Sequence, residues 1–228
     1  MAEATYASSG NAGIDTLVSR ADIATKVIIA TLALFVMTLL GELLELAGVL
    51  DLEAITLDTP AMIYVFISIG SGLAFLVSVI FVAMWIYRAH ANLHEAGIDG
   101  LSYTPGWAVG WYFIPIANLF KPFQAMRELW SESHGAGDSF AAAAPGNLGA
   151  WWAAWIIGNI LGNVSMRLSM AGDGSNMQVA IVLAAASSVG SIISAYLLMQ
   201  IIRDITAAQV NGLNVAQIFA KDLPGEVC

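Results

Sequence analysis

Residues 84–130, MWIYRAHANLHEAGIDGLSYTPGWAVGWYFIPIANLFKPFQAMRELW, decide how the rest of this chain is read. They lie between two pairs of long apolar segments. They hold three of the six prolines and four of the seven tryptophans: Trp85, Trp107, Trp111 and Trp130. The apolar centre, Pro105 to Phe120, is interrupted by Pro115 and falls short of the roughly 20 helical residues that cross a bilayer core. Such a run reads as a re-entrant or interfacial segment.

The composition sets the wider frame. Hydrophobic residues make up 58% of the chain and charged residues only 11%, with a mean hydropathy of +0.76, outside the range of ordinary soluble domains. The apolar residues come in long blocks, as membrane spans require. A formal charge of −9 argues against nucleic acid as a partner, since that needs clustered Lys and Arg. The single cysteine, Cys228, permits neither an intrachain disulfide nor a Cys-based metal site, and prenylation is not expected of it. Residues 1–19 carry Glu3 and Asp15 but no Lys or Arg, so the first apolar run is expected to act as an uncleaved signal anchor.

Read in order, the sequence predicts an all-α integral membrane protein. Four transmembrane helices are expected at about 24–50, 60–87, 148–168 and 177–202, with a re-entrant or interfacial broken helix at 105–133 between spans two and three. A mobile cytoplasmic tail (1–19) precedes the membrane domain (20–210), and a cytoplasmic tail (211–228) follows it. Pro60 suits the first turn of span two. The turn between spans three and four, Ala171 to Asn176, is rich in Gly, Asp, Ser and Asn. With four spans and both termini in the cytoplasm, Arg20, Lys26, Arg88, Lys121, Arg127, Arg203 and Lys221 lie inside and only Arg167 lies outside. A fifth span through 105–120 would move Lys121 and Arg127 outside and destroy that bias. The localisation this implies is a membrane that the chain crosses several times.

Small residues mark the packing faces. Span three has Ala150, Ala154, Gly158 and Gly162, span four has Ala186, Gly190 and Ser194, and span two has Ser68 and Gly72 beside Gly70 and Ala74. Such stripes let helix backbones approach where lipid supplies no hydrophobic drive, within one bundle or across an oligomer seam. Polar groups in the spans are candidates for function. Glu42 and Glu45 share a face of span one, and Glu42 lies as far beyond Lys26 as Arg167 lies beyond Trp151, so an intramembrane ion pair of Arg167 with Glu42 or Glu45 is expected. Asn159 and Asn163 are expected to hydrogen-bond between helices. His90 and His94, at i and i+4, are weak metal candidates that read better as a solvated helix face, so no metal and no cofactor is expected.

The central residues resemble a family. Trp85-Ile86-Tyr87-Arg88-Ala89-x-x-Asn92, then Tyr103-x-Pro105-Gly106-Trp107 through Leu119, then Lys121-Pro122-x-Gln124-Ala125-Met126-Arg127-Glu128-Leu129-Trp130 are similar to the core signature of the bacterial domain-of-unknown-function 4328 family. Arg203-x-Ile205-Thr206-x-x-Gln209 resembles its C-terminal end. The resemblance implies four-span proteins of the bacterial inner membrane and no particular activity. The Pro-rich or zinc-ribbon extension of some members is not expected here.

Physically, Ser102 or Thr104 caps the helix that Pro105 opens, Pro115 breaks it, and Asn118 is the local donor for the freed carbonyls. Pro122 then starts an amphipathic helix with Phe123, Met126, Leu129 and Trp130 toward the membrane, and Gln124, Arg127, Glu128 and Glu132 away from it. Arg88, Asn92, Asn118, Arg127, Glu128, Arg203 and Gln209 form the expected polar network, which either pins the broken helix or lines a ligand-binding, cytoplasm-facing cavity.

No nucleophile elbow, phosphate loop or zincin helix offers an enzyme. The expectation is a non-enzymatic scaffold or accessory subunit of a membrane complex. The alternative is a lipid- or small-molecule-binding protein or transporter using the pocket along 84–130. Expected partners are membrane lipid and a protein subunit or second copy of the chain.

Overall fold

A computed structural model of the chain describes residues 2–52, 56, 58–135, 146–171 and 176–222, with side chains over 12–52, 56, 58–135, 146–171 and 176–212. Every described element is helical: α1 (Ala2–Leu46), α2 (Thr59–Glu95), α3 (Pro105–Gly110), α4 (Lys121–Ser133), α5 (Gly146–Met170) and α6 (Met177–Asp222). Two 3-10 turns, Trp111–Phe113 and Ala117–Leu119, stand between α3 and α4. Glu53, the linker residues 136–145, the turn at 172–175, the side chain of Lys221 and the tail from 223 to Cys228 lie outside the described residues.

Among the described residues three helices, and not the four expected, are long and apolar enough to cross a membrane: Ala12–Leu46, Thr59–Glu95 and Met177–Gly212. They mark a membrane-embedded protein. α5 is a full 25 residues long. Its apolar residues, however, are diluted by Trp151, Trp152, Trp155, Asn159, Asn163 and its glycines. At its N-terminus α2 has Pro60 in the first turn, as expected, and is capped by the Asp58 carboxylate, which accepts from the Ala61 N–H at 2.9 Å. α1 runs through residues expected as a mobile tail, and Ile14 and Leu17 on it are buried.

The chain divides into two compact units. One comprises Met1–Thr25, Ile80–Leu148 and Gln200–Cys228, and the other Lys26–Val79 and Gly149–Met199. The first buries its large side chains as a soluble domain does: Leu17, Trp85, Leu93, Met126, Leu129, Ile201 and Ile205 are fully enclosed. The second unit inverts that pattern. Phe66, Leu73, Leu76, Ile157, Ile160 and Val182 are exposed, while Thr31, Ser71, Ser165 and Ser194 are buried. Lipid rewards close backbone packing and interhelical hydrogen bonds more than apolar burial, and this is the result.

Within the second unit, the small-residue stripes of α5 and α6 meet. A Cβ added at Gly190 would stand 3.1 Å from Gly158 Cα and 3.2 Å from the Ala154 carbonyl oxygen. Ser187 Oγ donates to the Gly158 carbonyl at 2.8 Å and Ser165 Oγ to the Ala180 carbonyl at 2.7 Å, so the seam is hydrogen-bonded as well as close. α1 meets α2 through Thr38 and Ser71 (2.8 Å) and through Thr31 Oγ1 donating to the Ala74 carbonyl at 3.3 Å. The Tyr64 ring covers Gly41. Gly70 and Gly72 of the expected span-two stripe face open space.

Gly190→Leu is therefore expected to destabilise the fold by about 1–3 kcal/mol through overpacking. Gly70→Leu should change little. Apparent melting temperatures of the two variants in mild detergent check this, and equal losses would contradict the seam.

Candidate functional site

The first unit is organised on one buried amide. Gln209, on α6, is completely enclosed. Its Nε2 donates to the Ala89 carbonyl of α2 and to Ser133 Oγ of α4, both at 3.0 Å, and its Oε1 accepts from Asn92 Nδ2 at 3.1 Å. Three helices are tied through a single side chain whose two donors and acceptor are all engaged. One turn earlier on α6, Thr206 Oγ1 accepts from the Trp85 indole N–H at 3.0 Å. Asn92 in turn accepts at Oδ1 from Arg88 Nε at 2.8 Å, and the Arg88 guanidinium closes on Glu95 as an ion pair. Arg88, Asn92 and Glu95 stand within two turns of α2, so helical spacing alone sets them on one face. α1 crosses this face at Gly13, where a Cβ would come within 2.8 Å of Asn92 Oδ1 and 3.2 Å of Arg88 Nη2. Only glycine brings α1 onto the network without moving it.

A second set of bonds fixes the approach to α3. Gly97, at φ +71, ends α2, and its backbone turns the chain back. Glu128, buried on α4, accepts from the backbone N–H groups of Ser102 at 2.7 Å and Tyr103 at 3.0 Å, one on each oxygen. The Tyr103 hydroxyl donates to Gln124 Oε1 at 2.8 Å, and its carbonyl accepts from His94 Nε2 at 3.0 Å. Thr104 then caps α3, its Oγ1 accepting from the Trp107 N–H at 3.4 Å. Lys121 Nζ sits 5.6 Å from the Tyr103 ring centre and 5.7 Å from that of Trp111, which is paired with Trp107 at 4.9 Å.

The predicted break is present and has a defined geometry. Ile114 is extended, as the residue before a proline prefers. Ile116 has φ +68 and ψ −55, and the Ala117 N–H donates across it to the Pro115 carbonyl at 2.8 Å, forming a γ-turn. A β-branched residue held there carries about 1–3 kcal/mol of strain. The freed carbonyls are met by backbone: Asn118 N–H donates to Ile114 at 2.9 Å and Leu119 N–H to Ile116 at 3.0 Å. The expected Asn118 side-chain donor is thus replaced by its own main chain, and Asn118 Oδ1 is buried without a hydrogen-bond partner.

The seven residues expected in the network divide. Arg88, Asn92 and Gln209 form one hydrogen-bonded chain, and Glu128 belongs to the neighbouring set. Arg127 Nε is buried, and Arg203 is exposed on α6, where it is not brought to the others. α4 does not lay Met126 and Leu129 on a membrane: both are enclosed in protein, and so is Glu128 on the opposite expected face, because α4 is covered on more than one side. Ser133, Thr206, Tyr103 and Gln124 were not anticipated as network partners. Nothing in their spacing marks them, since each meets a partner far away in sequence.

The other candidates fall elsewhere. Glu42 is buried, accepting from Ser188 Oγ at 3.0 Å, with Oε2 lacking a hydrogen-bond partner. The hydroxyl of α6, rather than Arg167, is its described partner, and Arg167 is exposed in the last turn of α5. Glu45, expected as the other acid of that pair, lies on the exposed-to-intermediate side of α1. Asn159 and Asn163 donate to the carbonyls of Trp155 (2.7 Å) and Asn159 (2.8 Å) on their own helix, not between helices. The shorter i to i−4 reach wins. His90 is buried and not solvated. Its Nδ1–H donates to the Ile86 carbonyl at 3.0 Å, and its ring lies beside Ala125 and Glu128 of α4 without a well-formed bond at Nε2. Among the described residues, no group of three or more His, Cys, Asp or Glu side chains is arranged to hold a metal.

Membrane-length helices joined to a polar, hydrogen-bonded unit define an all-helical membrane-embedded protein. The chain belongs to the family described as domain of unknown function (DUF4328), whose model matches residues 50–207. No curated protein and no solved structure matches it.

Gln209→Leu leaves Asn92 Nδ2 and Ser133 Oγ buried without their partner, which is expected to cost about 2–4 kcal/mol. The exposed change Arg203→Ala should stay within about 0.5 kcal/mol. Thermal unfolding in detergent compares them, and a Gln209→Leu protein as stable as the parent would remove the amide from the centre of the unit.

Proposed function

We propose that this protein is a non-enzymatic scaffold or accessory subunit of a bacterial inner-membrane complex, with four spans and both termini in the cytoplasm. The observation that carries the reading is how the polar groups of 84–130 are used. Arg88, Asn92, Glu128 and Gln209 bond to one another and to the chain's own backbone, which makes a rigid shape and leaves those groups turned inward. α5 is the fourth span. Its 25 residues rise about 37 Å, enough for the bilayer core, and its glycines pack on α6. The positive-inside bias supports the same topology. The broken helix between α3 and α4 is then interfacial, on the cytoplasmic side.

A second reading is favoured by one observation. Asn118 Oδ1 and Ser131 Oγ are buried without hydrogen-bond partners, His90 Nε2 lacks a well-formed one, and each such atom would gain from a bound polar molecule. A cytoplasm-facing pocket for a lipid or small molecule along 84–130 fits that.

Two measurements test these readings. Reporters fused at each terminus and within 136–145 are expected to be active only in the cytoplasm, and one within 172–175 only outside. Termini on opposite sides would mean three spans. Native mass spectrometry after purification in mild detergent is expected to retain a stoichiometric protein subunit. A retained small molecule, lost on Asn118→Leu, would favour the pocket.

A further inference from the structure

We propose that the tip between α3 and α4 is a wedge that enters the bilayer and binds anionic phospholipid, a role that rests on the membrane-domain reading above. Phe113, Ile116, Leu119 and Phe120 lie in the acyl layer, and Lys121 meets the headgroup phosphate.

Three observations converge. The first is exposure: Phe113 is 72% and Ile116 76% exposed, and Leu119 and Phe120 are exposed beside them, in the unit that fully encloses Trp85, Leu93 and Leu129. A unit able to bury its apolar residues leaves four consecutive-turn ones outside. The second is strain. Ile116 holds φ +68 while its own side chain is left unpacked, so no burial of that side chain helps to offset the conformation. The γ-turn drives Ile116 outward, and an apolar medium around it would supply the missing stabilisation. The third is charge. Lys121, the first residue of α4, lies over Tyr103 and Trp111 and pairs with no acid among the described residues. A cation against aromatic rings beside an apolar tip is the arrangement favoured at the headgroup boundary.

Lipid fits better than a protein partner because four side chains fall well short of the roughly 20–30 residues a side that a stable protein interface uses. The bilayer is at hand in a chain with three membrane-length helices.

The test uses the full chain carrying Cys228→Ser and one new cysteine, Phe113→Cys or Ile116→Cys, with Asp99→Cys as the exposed control. Each is labelled with a polarity-sensitive fluorophore and reconstituted in phosphatidylcholine vesicles with or without phosphatidylglycerol. Labels at 113 and 116 are expected to shift to the blue and to be quenched by lipids brominated in the acyl chain, while the label at 99 is not. Lys121→Ala is expected to lower the phosphatidylglycerol that copurifies with the chain by about five-fold, the effect of one basic group at an anionic surface. Should the cysteine variants fail to fold, Ile116→Gly suits the positive φ, keeps the turn, and is expected to retain less copurifying lipid.

Water-exposed labels at 113 and 116 in a protein that still resists alkaline extraction from membranes would overturn the wedge alone. Release by alkali would overturn the membrane-domain reading itself. Unchanged lipid on Lys121→Ala would overturn the headgroup contact, and stoichiometric cross-linking of a photoreactive group at 116 to a protein would overturn lipid as the occupant.

Discussion

Over the apolar stretches of this chain, main-chain amides and carbonyls have to find their partners inside the chain, and much of the structure follows from that. Where lipid replaces water, an unpaired peptide group costs several kcal/mol, so helix is the only economical backbone over the apolar stretches. The same constraint governs the polar side chains of the spans. Thr31, Thr38, Ser68 and Ser71 return their hydroxyls to carbonyls of their own helices, and Asn159 and Asn163 do likewise. Each of these hydroxyls has a single proton, which Thr31, Thr38 and Ser71 share between the carbonyl of their own helix and a neighbour on the second helix, and this makes the α1–α2 contact polar and close.

The break at Pro115 is where this solution fails and another is built. The proline removes a donor and bars the helix from continuing, and four residues around it recover main-chain bonds by turning tightly. The recovery forces Ile116 into a left-handed conformation. Such a turn persists only where its ends are held, and here both are. Glu128 grips the backbone at Ser102 and Tyr103 before α3, and the helix after the turn is tied through Ser133 to Gln209. Glu128 and Gln209 thus bracket the strained segment from opposite ends, one as a pair of acceptors and the other as a donor and acceptor together.

The two units solve packing by opposite means, and this explains why one kind of residue reads differently in each. Glycine on α5 and α6 removes side chains so that backbones touch, whereas Gly13 on α1 makes room for a guanidinium and an amide. Aromatic residues divide in the same way. Trp85 is a core residue with a bonded indole, while Trp152, also buried, stacks on Trp155 of its own helix at 4.7 Å.

Much of this was legible in the order of residues. The all-helical class, the capping of α3 by Thr104, the break at Pro115, the start of α4 at Pro122 and the meeting of the α5 and α6 stripes depend on neighbours a few residues apart. Local sterics and helix periodicity determine them. Membership of Arg88, Asn92 and Gln209 in a common network was also readable, from their levels along the helices. What only the tertiary structure decided is which partner each polar group takes. Glu42 finds Ser188 and not Arg167, His90 is buried and not solvated, and Met126 and Leu129 of α4 are enclosed in protein and not laid on lipid. Those outcomes turn on the rotation of one helix against another, over separations such as that of Asn92 from Gln209. No spacing within a single helix encodes them, because a hydrogen bond is decided within an ångström and a helical period is not.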